Sequence, residues 1–464
     1  MDITSITIVG NGLAAAQCAL MLTTMLPSSV QLNLIRSKDC PDSDLLYGSI
    51  TSPDAYQHNL QLTVSEPEIM LQSDSSFSFG TRFVDWGENK RDWIQCFHQP
   101  FSAEAGVHFH QIIRKHDANL EDYLISAQAA KLGRFAHPPV DKPESALSRA
   151  EYGYHFYPTE WAELFFKKLT SKKINIVDTE SCSVNLVDNN IESITLANGK
   201  QITADLFIDC SGTSSKLLSS ISDEFEQQSQ IDAVFKLVNV AQTGPSYRQI
   251  QGDHTQWQSV TPLQNKNLLL SVKKHAANQS GTGQFTLGRR PKAWINNCVG
   301  IGHAAYVIEP LTPAPHMLLS KDILRLAELI PLGKNMLMES KEYNRRYIND
   351  VKHAELFQFA LYDENQMPAS DELTRKLEQF NHRGVLANFD LEPFHDEDWL
   401  TLHFGMGRKS QYYDRLADQI NTTEMASKLL NMRKGLQHLA QQIPPHHIYL
   451  EKFLQYLREK HVNH

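Results

Sequence analysis

The chain has 464 residues, 41% of them hydrophobic, and a formal net charge of −9 from 44 basic and 53 acidic side chains. That length supports two or three domains, or one large α/β body with an added lobe, around a full core. The acidic balance and the absence of a clustered basic face exclude nucleic acid and anionic membrane as expected partners, and no run of about 18 apolar residues offers a membrane span.

Ile6 to Val9 reads as a β-branched strand. Gly10-Asn11-Gly12-Leu13-Ala14-Ala15 follows, then an Ala/Leu/Met-rich helix to about Leu26 and a second strand from Val30 to Ile35. This is a βαβ opening with a GxGxxA dinucleotide turn. Gly10 makes the turn, Gly12 lets a pyrophosphate approach, Ala15 permits close helix packing, and Leu13 and Ala14 open the helix whose dipole faces the ligand. An acidic side chain is expected at the end of the second strand, where it accepts hydrogen bonds from the ribose; Arg36 stands there instead. It reads either as a surface arginine that leaves the cofactor less tightly held or as a phosphate-recognising residue.

Residues 40 to 120 read as irregular, with Phe77 to Trp86 an apolar, turn-interrupted section. Helices are expected over 121–131 and 159–171, the second capped by Thr159 with Glu160 in its first turn. Short strands fill Ile174 to Asp209, with turns at Asp188-Asn189-Asn190 and Asn198-Gly199, and the last of them, ending in DLFIDCSG, returns to the dinucleotide sheet. Ile231–Val240 and Leu268–Val272 suggest an antiparallel sheet beside it.

Asn297 to His316, NCVGIGHAAYVIEPLTPAPH, reads as a buried strand over Cys298–Ile301, then Gly302 with small residues, then a tight Thr312–Pro315 segment before an amphipathic helix. Small residues after a strand and a helix start just beyond suit a large anionic cofactor or a small anion. Beyond Leu318 the chain is mainly helical, with Asp350–Tyr362 the clearest helix. The expected fold class is α/β. Its expected division is a discontinuous dinucleotide-binding body with an interleaved substrate-side sheet over 1–330, and a mainly helical region over 331–464.

Several features take ordinary readings. The Lys-Lys pairs at 167–168 and 172–173 are expected to be solvated. His98, His108, His110 and His116 lack a carboxylate or cysteine spaced to complete a metal site, so no metal is expected; the spacing of His108 and His110 is that of one strand face. The six cysteines show no CxxC spacing, and three lie inside apolar runs, as reduced buried thiols do; this points to a reducing cytoplasm. Cys210 beside Asp209 reads as a packed thiol with no activating histidine. The N-terminus lacks a signal-peptide pattern, and the final His-Val-Asn-His is expected to fray.

Taken together, the GxGxxA turn, DLFIDCSG, NCVGIG with AA and IEPL, Glu342 to Arg346 (EYNRR), Trp399 to Gly407 (WLTLHFGMG) and the IPPHH near the end resemble the flavin-dependent tryptophan halogenase family, relatives of the flavin monooxygenases. The resemblance spans nearly the whole chain. It implies an FAD-binding Rossmann-like fold with an added antiparallel sheet and a helical C-terminal region. It also implies FAD as cofactor, reduced by a separate reductase, and a small-molecule substrate; a homodimer is compatible with it. In such enzymes the reduced flavin reacts with oxygen, a bound halide attacks the hydroperoxide, and hypohalous acid reaches a lysine beside an aromatic substrate. The cofactor-side positions it marks are Gly10, Gly12, Leu13, Ala14, Ala15, Arg36, Gly212, Gly302 and the flavin strap Gly48, Ile50 and Thr51, with Ser49 at the strap's acidic position.

The chain departs from the family where halogenation is performed. Ser78 stands where the family has its lysine in Phe-Lys-x-Gly, and a neutral hydroxyl can form no chloramine. Thr312 replaces the catalytic glutamate and cannot accept a proton from the reacting ring at neutral pH. The halide-site positions are Ala314 and Pro315, and proline has no N–H to offer. The family's Trp-x-Trp-x-Ile-Pro appears as Trp257 to Pro262 with only the first tryptophan and the proline kept. The leading expectation is an FAD-dependent oxidoreductase or monooxygenase that is not a competent halogenase. A non-catalytic binding protein on the same fold and an active halogenase with a relocated lysine are the alternatives.

Overall fold

The computed structural model describes residues 3–276, 285–387 and 392–462. The chain forms two compact units, each discontinuous: Met1–Ser73, Phe156–Ala233 and Lys274–Lys352 make the first, and Asp74–His155, Val234–Lys273 and His353–His464 the second. The expected boundary at 330 falls inside the first unit. Among the described residues no helix is long and apolar enough to cross a membrane.

The first unit is built on a six-stranded sheet in the order Trp294–Ile295, Cys298–Gly300, Leu206–Asp209, Ser5–Val9, Gln31–Ser37, Asn175–Thr179. All neighbours are parallel except the first pair. Central strands of such a sheet are covered on both faces and read as continuous apolar runs, and Ile6, Ile8, Val9, Phe207 and Ile208 are buried accordingly. The register aligns Val9 with both Ile35 and Asp209, and Asp209 with Gly300. Three strands therefore end level, and their loops, starting at Gly10, Cys210 and Ile301, emerge side by side. The carboxyl ends of parallel strands are where ligands bind in this architecture.

Leu13–Met25 is buried on all sides as far as Leu22, as expected of a helix enclosed by neighbours. Its alanines at 14, 15, 16 and 19 let it lie close to the helices Pro158–Leu169 and Ala314–Glu328. A three-stranded sheet, Cys182–Val187, Asn190–Leu196 and Gln201–Thr203, packs Ile191, Ile194 and Leu196 into one core with Val9, Ile35, Phe207 and Leu217. Asp188 and Asn189, at φ 48° and 61°, form the two-residue hairpin turn expected there.

The second unit carries the strands Arg91–Cys96, Gly80–Trp86, Arg248–Gly252, Gln256–Pro262 and the part of Lys266–Ala276 up to Lys273 as neighbours, with one parallel pairing, 248–251 on 81–84. Ser76–Ser78 pairs separately with Gly153–His155. The helices Asp371–Arg383, Asp396–Gly405, Thr422–Gln442 and His446–Val462 complete it; Asn463 and His464 of the tail expected to fray lie outside the described residues.

Several expectations need correction. Residues 40–120 are not irregular: they hold the helices Ala55–Gln61, Glu66–Gln72 and Phe109–Lys115 and three strands. None exceeds seven residues, too short for a periodic pattern to register. Ser65 and Glu68 do form a full capping box, a signal present in the sequence. His108 precedes a helix that contains His110, so the two do not share a strand face. Thr159 does not cap its helix, which starts one residue earlier at Pro158 after Tyr157, because proline suits a first helical position. The long C-terminal-side helix runs from Leu337 to Phe359 rather than 350 to 362.

Candidate functional site

At the dinucleotide turn, Gly10 donates to Ile35 O at 3.0 Å while Cys210 donates to Val9 O at 2.8 Å. A Cβ at Gly10 would lie 2.2 Å from Cys210 O, so the glycine is required by the crossing of two backbones. Gly12 is the residue before the helix Leu13–Met25, and its carbonyl accepts the first helical bond from Ala16 at 3.0 Å.

The turn is occupied by the chain itself. Asp44 Oδ1 accepts from Leu13 N–H at 2.7 Å, taking a free amide at the helix N-terminus that a phosphate would otherwise meet. A Cβ on Gly12 would meet Asp44 Oδ1 at 2.5 Å and Asp42 Cβ at 2.6 Å; one on Gly212 would meet Asp42 Cα at 2.7 Å and Pro41 O at 3.0 Å; one on Gly302 would meet Tyr47 Oη at 2.3 Å. Three glycines from three loops thus face one segment, residues 41–47. Gly212 and Gly302 have φ of +70° and +60°, which only glycine adopts without cost.

The segment is tied down by a buried polar knot. Tyr47 Oη donates to Asp42 Oδ2 at 3.0 Å and accepts from His303 N–H at 3.2 Å. The Tyr47 and His303 rings stack at 3.8 Å with 9° between planes. His303 Nδ1 lies 2.8 Å from Asp42 Oδ1, both side chains 1% exposed. Burial, and then the neighbouring Asp42 charge, hold the Asp44 carboxyl well above the usual carboxylate range, against the Leu13 N–H. In this arrangement the residues do not fit the pyrophosphate of FAD: its amide is taken and the space opposite the glycines is filled.

The other positions read from the sequence fall as follows. Leu13, Ala14 and Ala15 form the first helical turn and are buried. Arg36 makes a two-pronged contact with Asp178 on the next strand, Nε to Oδ1 at 2.7 Å and Nη2 to Oδ2 at 2.8 Å, and lies over the Phe166 ring at 5.3 Å. A Cβ on Gly48, at φ +83°, would lie 3.7 Å from Pro310 Cβ, and Ser49 O accepts from Phe156 N at 3.0 Å; Ile50 and Thr51 are buried.

Thr312 is buried, and its Oγ1 accepts from Ala314 N–H at 3.2 Å. Ala314 and Pro315 are the first two residues of the helix Ala314–Glu328, where a missing N–H costs the helix nothing. Both amides of the halide positions are therefore accounted for, one bonded and one absent. Ser78, in the second unit, is fully buried; its Oγ accepts from Gly80 N at 3.1 Å and lies 3.2 Å from Gly80 O.

Asp209 organises the loop after the neighbouring strand. Oδ1 accepts from Ser211 N at 3.0 Å and Oγ at 2.5 Å, and Oδ2 from Leu217 and Leu218 N–H at 2.9 Å each. Asp209→Ala strips three buried amides of their acceptor and is expected to cost about 3 kcal/mol, read as a lower urea midpoint with unchanged slope. A cost under about 1 kcal/mol would mean that water replaces the carboxylate.

Sequence reasoning missed Asp42, Asp44, Tyr47, His303 and Asp322, whose Oδ2 accepts from Gly302 N at 3.2 Å. The available signal was three acids, Asp39, Asp42 and Asp44, between the second strand and Gly48, in a loop bound to pass an anion site. It also missed Lys274, whose Nζ lies 2.6 Å from Glu309 Oε2 with side chains 18% and 3% exposed. Asp39, Cys40 and Cys182 bring ligand atoms within 4.8 Å of one another, but the Lys216 ammonium is paired with Asp39, where a cation would sit.

A six-stranded, largely parallel sheet whose level strand ends carry a GxGxxA turn and two further glycine loops defines an α/β protein with the architecture of a dinucleotide-binding fold. Within that class, the chain belongs to the tryptophan halogenase family, whose model matches residues 5–266 and 264–422. It is 22% identical over 364 residues to tryptophan 7-halogenase RebH of Lentzea aerocolonigenes, an alignment spanning 67% of this chain and 66% of RebH. The fold matches BrvH, a flavin-dependent halogenase from Brevundimonas sp. BAL3, with a TM-score of 0.88 at 23% identity over 97% of this chain and 99% of that one. It also matches Xcc4156, a flavin-dependent halogenase from Xanthomonas campestris, with a TM-score of 0.86 at 20% identity over 97% and 98%.

Proposed function

We propose that this protein is a cytoplasmic FAD-dependent oxidoreductase or monooxygenase of the tryptophan halogenase family that acts on a small aromatic or related substrate, takes its reduced flavin from a separate reductase and does not halogenate. The observation that carries the reading is at residues 312–315. Thr312 supplies a hydroxyl in place of a carboxylate and uses it to accept the Ala314 N–H, while Pro315 has no N–H, so neither a proton acceptor nor a free pair of halide donors is left. Ser78 supports it independently, since a buried hydroxyl bonded to Gly80 cannot replace an amine.

With a flavin reductase, FAD, NADH, oxygen and bromide, the protein is expected to give no brominated product from tryptophan, indole or phenol by mass spectrometry. A brominated product at catalytic turnover would sink the reading.

One observation favours a second reading, a halogenase with a relocated amine. Lys274 pairs with Glu309, three residues before Thr312, and both are largely buried. On that reading bromination appears and Lys274→Met abolishes it while the fold and FAD binding persist.

A further inference from the structure

We infer that residues 41–47 are a built-in competitor of the dinucleotide cofactor: the Asp44 carboxyl oxygen on the Leu13 amide and the Asp42–Tyr47–His303 knot close the site, and FAD binds only as this segment withdraws. The inference rests on the reading of the chain as a flavoprotein, and adds to it the state in which the protein waits without cofactor.

The argument is one of shared chemistry and shared space. A carboxyl oxygen and a phosphate oxygen present the same thing to a helix N-terminus, a hydrogen-bond acceptor for its free amides. Asp44 uses one such amide at 2.7 Å, so the two cannot bind together. The glycines that would let a pyrophosphate approach are the ones pressed by the segment: Gly12 by Asp42 and Asp44, Gly212 by Pro41 and Asp42, Gly302 by Tyr47. Absence of side chains at these three positions is thus used twice, by the segment in the closed form and by the cofactor in the open one.

The closed form is held by a definite set of contacts: Asp44 to Leu13, Tyr47 to Asp42 and to the His303 amide, the Tyr47–His303 stack, and His303 to Asp42. It also carries a built-in cost, because Asp42 and Asp44 are two neighbouring acids withdrawn from water, and burial beside Asp42 disfavours the charged form of Asp44. Withdrawal returns both to solvent. Gly48, at φ +83° just after the 3₁₀ turn Asp44–Tyr47, and Pro41 bound the segment that moves.

If the site is open for only a fraction of the time, the apparent dissociation constant is the intrinsic one divided by that fraction. Asp44→Ala removes the acceptor on Leu13, and Tyr47→Ala removes the stack and both hydroxyl contacts. Each is expected to bind FAD, and ADP as the half-ligand, at least about tenfold more tightly than the wild type by calorimetry. A gain of affinity cannot arise from unfolding. In the wild type, amide hydrogen exchange over 41–47 is expected to speed up when FAD is added. Equal or weaker FAD binding by both folded variants, or unchanged exchange over 41–47 in the FAD-saturated wild type, overturns the competitor and leaves the flavoprotein reading intact. No binding of FAD or ADP by any of the three proteins overturns the flavoprotein reading and the competitor with it.

Discussion

Arg325→Ala is expected to cost the fold about 3–5 kcal/mol, because it leaves the buried Asp322 carboxylate without its cation and Asp350 with one fewer. Arg325 Nη1 donates to Asp322 Oδ1 at 2.7 Å, Nη2 pairs with Asp350, and the guanidinium lies 5.0 Å from the Tyr343 ring centroid. The side chains of Arg325, Asp322 and Asp350 are 4%, 2% and 8% exposed. Asp350 keeps a second cation, Lys321 at 3.7 Å; Asp322 keeps, among the described residues, the Gly302 N–H at 3.2 Å. The variant therefore disturbs the loop that carries Gly302 as well as the helix Ala314–Glu328.

The pH dependence identifies the cause. Burial pushes the Asp322 carboxyl up to about 6 even with Arg325 opposing it. An acid whose folded pKa is raised takes stability away as pH rises from its unfolded value, about 3.9, through the folded one. Removing Arg325 raises that folded value further, so the deficit of the variant is largest at pH 7.5 and shrinks on acidification toward pH 5. Urea unfolding at the two pH values measures both. A deficit under about 1 kcal/mol, or one equal at both, would show that water reaches Asp322.

What was legible in the sequence divides along physical lines. The Gly10–Ala15 turn could be read because strand, turn and helix are contiguous and each residue type answers a local need. Pro315 could be read because a missing N–H is a covalent fact, independent of fold. Its neighbour could not: that the Ala314 amide is bonded to Thr312 Oγ1 depends on how the helix start is set, and the helix begins at Ala314, inside the segment that the sequence placed before it.

Arg36 left two readings open because its partner is distant in the chain. The register that sets Arg36 opposite Asp178 joins strands more than a hundred residues apart, and only that register reveals the two-pronged pair. Asp42 and Asp44 were hidden for the same reason. They read as loop acids until the fold brings them against Gly12, Gly212 and Gly302, and a glycine marks close approach without naming what approaches. The short elements between 55 and 115 escaped because a seven-residue helix spans only about two turns, too few for an apolar stripe to repeat.

Ser78→Lys is expected to destabilise the second unit by about 3–5 kcal/mol at pH 7 and to create no halogenase. Ser78 is fully buried on a strand between Phe77 and Phe79, also fully buried, and Phe77 stacks on Phe135 at 4.6 Å. An ammonium there loses water and gains only the carbonyl that the hydroxyl now meets, so its pKa falls by roughly three units, each worth about 1.4 kcal/mol. A lysine with a depressed folded pKa is most costly below that value, and the cost fades as pH rises toward the unfolded pKa near 10.4. The deficit should therefore shrink between pH 7 and pH 9.5, the opposite sense to Arg325→Ala. On function, an amine alone leaves Thr312 without a carboxylate and Pro315 without an N–H, so bromination assays with reductase and FAD should remain blank. Adding Thr312→Glu and Pro315→Gly supplies the proton acceptor and the missing amide, and any bromination should first appear in that triple variant. Bromination by Ser78→Lys alone would mean that the 312–315 segment is not where halide and proton are handled.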